Sequence, residues 1–202
     1  MSTQAALGWK IHTGWAVLVA VAGRPSDIEV LLRRRVELLP PDSSITRFVY
    51  HQASEMPPRQ AKELVDRGIK SSQVSARLVV NEAVKELRSR GITVNVSGVL
   101  CGSAAPTQDL AAILRSHPLI HTAEGALFQN AIVLACESRG LKVVQTRERE
   151  VWARAAAAWD ITESELRKNV ELVRSSIGPP WSADHKACTA MALLALRSRK
   201  SA

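Results

Sequence analysis

The chain has 202 residues, 46% of them hydrophobic and 23% charged, with a formal net charge of +8 and a pI near 9.9. That balance is ordinary for a globular protein and suits one domain over residues 1–202 with a sizeable core. Cys101, Cys136 and Cys188 lie far apart and form no C-x-x-C pair, which excludes a disulfide framework and a cysteine zinc site and suits a reducing, cytoplasmic setting. The basic excess fits a polyanionic partner such as nucleic acid, with plain solubilising charge as the alternative.

Residues 15–22 form a continuous apolar run, too short to span a bilayer, and read as a strand. Turn residues Gly23, Pro25, Ser26 and Asp27 lead to a second strand at 28–38, so the pair reads as an antiparallel hairpin. A turn at 40–44 precedes a third expected strand at 45–51, around Phe48-Val49-Tyr50. Helices are expected at 59–66 and 72–89, separated by Gly68, with Val74, Leu78 and Leu87 near helical spacing. Residues 92–100 alternate as a strand, and a loop at 101–106 leads to a short helix at 108–116. A helix at 122–139 and a strand at 141–145 follow, with a further helix starting at Thr146. Thr162 and Glu165 have the form of a capping box, and Ser182 opens a last helix reaching about residue 197.

The element order is β-β-β-α-β-α-β-α, an α/β chain with a mixed five-stranded sheet flanked by helices. This order resembles the ribonuclease H-like fold. Within it, A-E-G-A-L…A-C-E-S-R-G-L-K-V-V (residues 123–144) is similar to the helix-then-strand segment of RuvC-type Holliday-junction resolvases. W-S-A-D-H-K-A…A-M-A-L-L-A-L (residues 181–196) resembles their last helix, and Ile11-His12-Thr13-Gly14 stands where they carry an I-D-P-G phrase. The chain also resembles bacterial proteins that share a K-x-H/S-G-W-A opening and a G-P-W…K ending, a likeness that implies no activity.

The RuvC resemblance implies a pair of Mg²⁺ ions held by carboxylates from the first strand, the fourth strand and the last helix. Residues 1–26 hold no Asp or Glu, and neither do residues 92–106. The first-strand aspartate falls on His12 and the fourth-strand glutamate near Cys101 or Gly102, so Asp184 alone keeps an acid where the resemblance places one. A single carboxylate cannot hold two Mg²⁺ ions, and the expectation is a nucleic-acid-binding protein without two-metal nuclease activity. Its partner would be DNA or RNA, branched forms included, met by Lys10, Arg33, Arg35 and Lys186. No resident cofactor is expected.

Two other readings stay open. The fold would gather His12, Thr13, Cys101, Asp184, His185 and Lys186, with His121 and Glu124 close by. His12, Glu124 and Asp184 would then be the catalytic set of a hydrolytic enzyme or one using a single divalent metal. Alternatively the chain is a scaffold whose apolar surface pairs with another protein or, as a homodimer, with a second copy. His117 and His121 stand four apart, but Pro118 puts them in a loop or helix start rather than in a helical metal pair. His51 reads as a strand-edge residue, Cys136 as core packing, and Trp181 as a core anchor rather than a base-stacking platform.

Overall fold

The computed structural model describes residues 3–40, 45–102 and 109–198. Five strands form the middle layer: β1 (Thr3–His12), β2 (Trp15–Arg24), β3 (Asp27–Glu37), β4 (Ile92–Cys101) and β5 (Lys142–Arg147). Their spatial order is β3-β2-β1-β4-β5, so β1 is the central strand. The first three strands run antiparallel as a meander, while β4 lies parallel to β1 and β5 parallel to β4. The sheet is therefore mixed, as the element order implies.

One face is covered by α1 (Val49–Ser54), α2 (Pro58–Ser89), α3 (Leu110–Leu114) and α4 (His117–Ser138). The other carries α5 (Val151–Ala158), α6 (Glu163–Leu172), α7 (Arg174–Ile177) and α8 (Ala183–Ser198). Alternation along β1 divides the core: Ala5, Leu7 and Trp9 pack in the first layer, and Ala6 packs in the second. Among the described helices, α4 alone is long and apolar enough to cross a membrane, and half of it is buried inside this fold.

Gly8 of β1 and Gly98 of β4 are direct register partners. A Cβ on Gly8 would stand 2.0 Å from the Cys188 carbonyl oxygen of α8, and one on Gly98 would stand 2.7 Å from the Met191 carbonyl oxygen. The paired glycines form a notch that lets α8 lie almost backbone-to-backbone on the sheet.

Several expected elements are displaced. Residues 45–51 do not form a strand; their C-terminal part enters α1, and the missing strand is β1, expected only from Ile11 onward. The run at 15–22 is accordingly the second strand, beside the central β1. Ala5, Ala6 and Gly8 have low strand propensity, and β1 is buried on both faces, so it lacks both sequence signals of a strand. Phe48-Val49-Tyr50 has high strand propensity, but tertiary contacts override it.

The helices expected at 59–66 and 72–89 are one, α2. Gly68 is not a break; it admits α1, since a Cβ there would lie 2.8 Å from Cγ1 of Val49. The buried side of α2 runs through Leu64, Ala76, Val80 and Leu87, which leaves Val74 and Leu78 exposed. α4 starts at His117 rather than 122, with Pro118 in its first turn, where a missing N–H costs nothing. β5 continues to Arg147 and a 3-10 turn at Glu148–Glu150 follows, so no helix starts at Thr146. The Thr162 cap is present, its hydroxyl accepting from the Glu165 N–H at 3.1 Å. Positions 41–44 and 103–108, within the expected turn, loop and short helix, lie outside the described residues.

Candidate functional site

The parallel strands β1, β4 and β5 bring their carboxyl ends together, the usual place for a ligand crevice in an open α/β sheet. A cleft of about 330 Å³ opens there, lined among others by Lys10, Cys101, His121, Gln129 and Glu148. β1 supplies Lys10 and His12, the turn after β5 supplies Glu148, and the first turn of α8 supplies Asp184.

These four side chains form one network. The Lys10 ammonium donates to Oε1 of Glu148 at 2.5 Å and lies 2.9 Å from Oδ1 of Asp184. Nε2 of His12 lies 2.9 Å from the other Asp184 oxygen, Oδ2. Partial burial on its own would lift the Asp184 carboxyl, but Lys10 and then His12 outweigh it and hold it below its ordinary value. Partial burial likewise opposes the Lys10 charge, and the two carboxylates reverse this and raise its pKa. The N-terminal end of α8 further favours the Asp184 negative charge.

An aromatic stack extends from the network. The His12 ring lies parallel to Trp15 at 3.9 Å, and the Arg35 guanidinium sits 4.0 Å over Trp15.

Glu124 belongs to a different cluster. It is 3% exposed, and its Oε1 accepts from the backbone N–H groups of Tyr50 and His51 in the first turn of α1, at 2.8 and 3.1 Å. Oε1 also lies 3.2 Å from Nδ1 of His51. Burial pushes the Glu124 carboxyl up, and the hydrogen bonds from His51 and Tyr50 only partly offset it. Its Oε2 is buried without a hydrogen-bond partner among the described residues. Glu124 thus stabilises the N-terminus of α1 and orients His51, while His12 and Asp184 pair with each other and with Lys10. His51 is no strand-edge residue; it sits in α1 against His117 and His121.

The four cations expected to meet phosphate all have partners within the chain. Lys10 is held as above, and Lys186 pairs with Glu171 at 2.6 Å. Arg33 donates to the carbonyls of Ile177, Gly178 and Pro180, tying β3 to the turn before α8. Arg35 pairs with Glu37 at 3.0 Å but remains more than half exposed. His185 turns away from Asp184: its Nδ1 accepts from the Ser182 N–H, and its ring stacks on Trp181 at 5.8 Å. Trp181 is a buried core anchor, as the sequence suggests, and its indole N–H donates to the Val170 carbonyl. Cys136 is a core thiol, pushed up to about 11 by burial. Glu148 went unread in the sequence because residues 146–149 read as a helix start. An acid directly after a parallel strand was the signal for it.

Neither a protein-family model nor a curated protein sequence matches the chain. Solved structures do. RuvC from T. thermophilus in complex with a Holliday junction substrate superposes with a TM-score of 0.56 at 14% identity, over 98% of this chain and 96% of the other. A second Thermus thermophilus RuvC structure gives a TM-score of 0.52 at 16% identity, over 97% and 95% of the two chains. The fold is ribonuclease H-like. The match to the RuvC architecture runs essentially end to end, including the helices that follow β5.

The residues at the strand ends do not fit the pair of Mg²⁺ ions that the RuvC resemblance implies. Both oxygens of Asp184 and Oε1 of Glu148 are already engaged by Lys10 or His12. Hard Mg²⁺ wants free carboxylate oxygens in octahedral array, and an internal ammonium sits between these two acids instead.

Proposed function

We propose that this chain binds DNA through its ribonuclease H-like domain and lacks two-metal nuclease activity. One observation carries the reading: at the strand ends the Lys10 ammonium bridges Asp184 and Glu148, filling with a side-chain cation the place where metal chemistry would need open carboxylates. A bound Lys neutralises the acids permanently and supplies no water-activating centre. The net charge of +8 and the likeness to a junction-bound RuvC support a polyanionic, branched partner. Arg35, exposed and stacked on Trp15, is the cation best placed to meet a phosphate or an unstacked base at a branch point. A cytoplasmic location is part of the same proposal.

The test pairs binding with cleavage. The folded chain is titrated against four-way junction DNA, linear duplex and RNA at several salt concentrations, then incubated with the junction in Mg²⁺ or Mn²⁺. The expected results are tighter binding to the junction, affinity falling with salt, and no scission. The Arg35→Ala variant should reduce the salt slope by about one. Metal-dependent scission would defeat the nuclease-free half of the reading. Failure to bind any of the three at low salt would defeat the other half.

The 2.9 Å contact between His12 and Asp184 favours a second reading, in which Asp184 orients His12 as a general base. It predicts hydrolytic turnover without added Mg²⁺ that disappears in His12→Ala. Glu124, occupied at α1, has no part in that set.

A further inference from the structure

The structure assigns a transition-metal site to His51, His117 and His121, at the rim of the cleft and apart from the Lys10 network. α1 contributes His51, and the first turns of α4 contribute His117 and His121. Because α4 begins at His117, the two histidines four apart share one face of a helix, the relation the sequence reading denied them. One potential ligand nitrogen from each of the three rings lies within 4.8 Å of the others. In a tetrahedral site with metal–nitrogen bonds of about 2.05 Å, nitrogens stand roughly 3.3 Å apart. His117 and His121 are exposed and free to turn inward by that difference, while His51 is already fixed.

The fixing group is itself an argument for a ligand. Metal-bound histidines commonly donate their second ring N–H to a carboxylate, which sets the tautomer and strengthens the ligand. Here Nδ1 of His51 lies 3.2 Å from Oε1 of Glu124, leaving Nε2 as the nitrogen for the ion. Glu124 is buried, and its Oε2 lacks a hydrogen-bond partner among the described residues. A cation bound one imidazole away would stabilise that otherwise poorly compensated charge. The rings meet edge to face, at interplanar angles of 84°, 67° and 90°, and such packing occurs without metal. Packing alone does not require three converging nitrogens backed by a buried carboxylate.

Donor chemistry names the class of ion. Three neutral imidazoles select Zn²⁺, Co²⁺, Ni²⁺ or Cu²⁺ and discriminate against Mg²⁺ and Ca²⁺. Three protein ligands leave a fourth position for water or an oxyanion. His121 also lines the cleft with Lys10 and Glu148, so a ligand reaching the network from that side would pass the ion.

The experiment is a titration of the full chain, stripped of metal by chelation, with Zn²⁺ by calorimetry and with Co²⁺ by visible absorption. Expected are one equivalent of Zn²⁺ and the absorption of a tetrahedral Co²⁺ site. The double variant His117→Ala/His121→Ala, altered only at exposed positions, should bind roughly 100-fold more weakly or not at all. Glu124→Gln should weaken binding about 10- to 100-fold. His185→Ala should bind as the parent does. Absence of stoichiometric binding by the folded chain overturns the assignment. So does equal affinity in the double variant, with circular dichroism confirming that both proteins are folded.

Discussion

Two carboxylates in this molecule each meet a histidine, Asp184 with His12 at 2.9 Å and Glu124 with His51 at 3.2 Å. Their surroundings drive them apart. Asp184 is partly solvated and paired with an ammonium, so its charge is favoured and its pKa lies low. Glu124 is sealed beneath α1 with only N–H donors for company, so burial prevails and its pKa lies high. The histidine does not decide the matter; what differs is a full positive charge in one place and dehydration in the other. The first centre is a carboxylate neutralised by an ammonium, and the second is a buried carboxylate behind one imidazole.

Removing the buried carboxylate should have the largest effect. Glu124→Ala strips acceptors from the Tyr50 and His51 N–H groups in a dry environment and should cost about 3 kcal/mol in urea unfolding, with Glu124→Gln costing roughly half. If the two substitutions cost the same, the Gln oxygen does not replace the carboxylate as acceptor there. Next, Gly8→Ala pushes a methyl group against the Cys188 carbonyl and should cost about 2 kcal/mol while loosening the Lys10–Asp184 contact one turn away. Lys10→Met should cost only about 1 kcal/mol, because its pairs are partly solvated. That variant frees Glu148 and one oxygen of Asp184, and calorimetry should detect weak Mg²⁺ binding by the variant but not by the parent.

The smallest effects are those of pH, and their signs are opposite. Asp184 is depressed, so its contribution is full above its ordinary 3.8 and is lost as pH falls through its lower folded value. Glu124 is raised, so its ionisation is a penalty that grows from its ordinary 4.5 up to its folded value and stays constant above it. Acidification toward 4.5 should therefore recover stability through Glu124, and further acidification should lose it through Asp184. Unfolding curves of Glu124→Gln should lack the first change, and those of Asp184→Asn the second.

Much of this architecture was legible in the chain. The absence of acids from residues 1–26 and 92–106 carries over to the ends of β1 and β4, which hold no carboxylate, since an absence over a whole segment is insensitive to register. The last helix and its acid at 184 also stood out through the capping serine and the alanine-rich pattern. β1 did not, because its middle is buried on both faces and interrupted by Ala5, Ala6 and Gly8, which removes alternation and weakens propensity. The grouping of Glu124 with His12 and Asp184 failed for a related reason. Its partners are backbone N–H groups of a helix that the sequence reads as a strand, so nothing in its neighbourhood along the chain announces them. Likewise, His51 could not be joined to His117 and His121 until 48–51 was known to be helical.

The glycine notch bears on how such a chain can change over time. α8 is located by its own main chain resting on the sheet at Gly8 and Gly98, not by interlocking aliphatic side chains alone. Asp184 projects from that same rigid rod one turn before the Cys188 contact, so its height above Lys10 is fixed by two missing methyl groups. Leucines, valines and alanines elsewhere in the interior are then free to drift, within volume limits, without retuning the polar centre. Heredity can rewrite most of the core while the reach from helix to lysine is inherited intact, provided two positions stay bare.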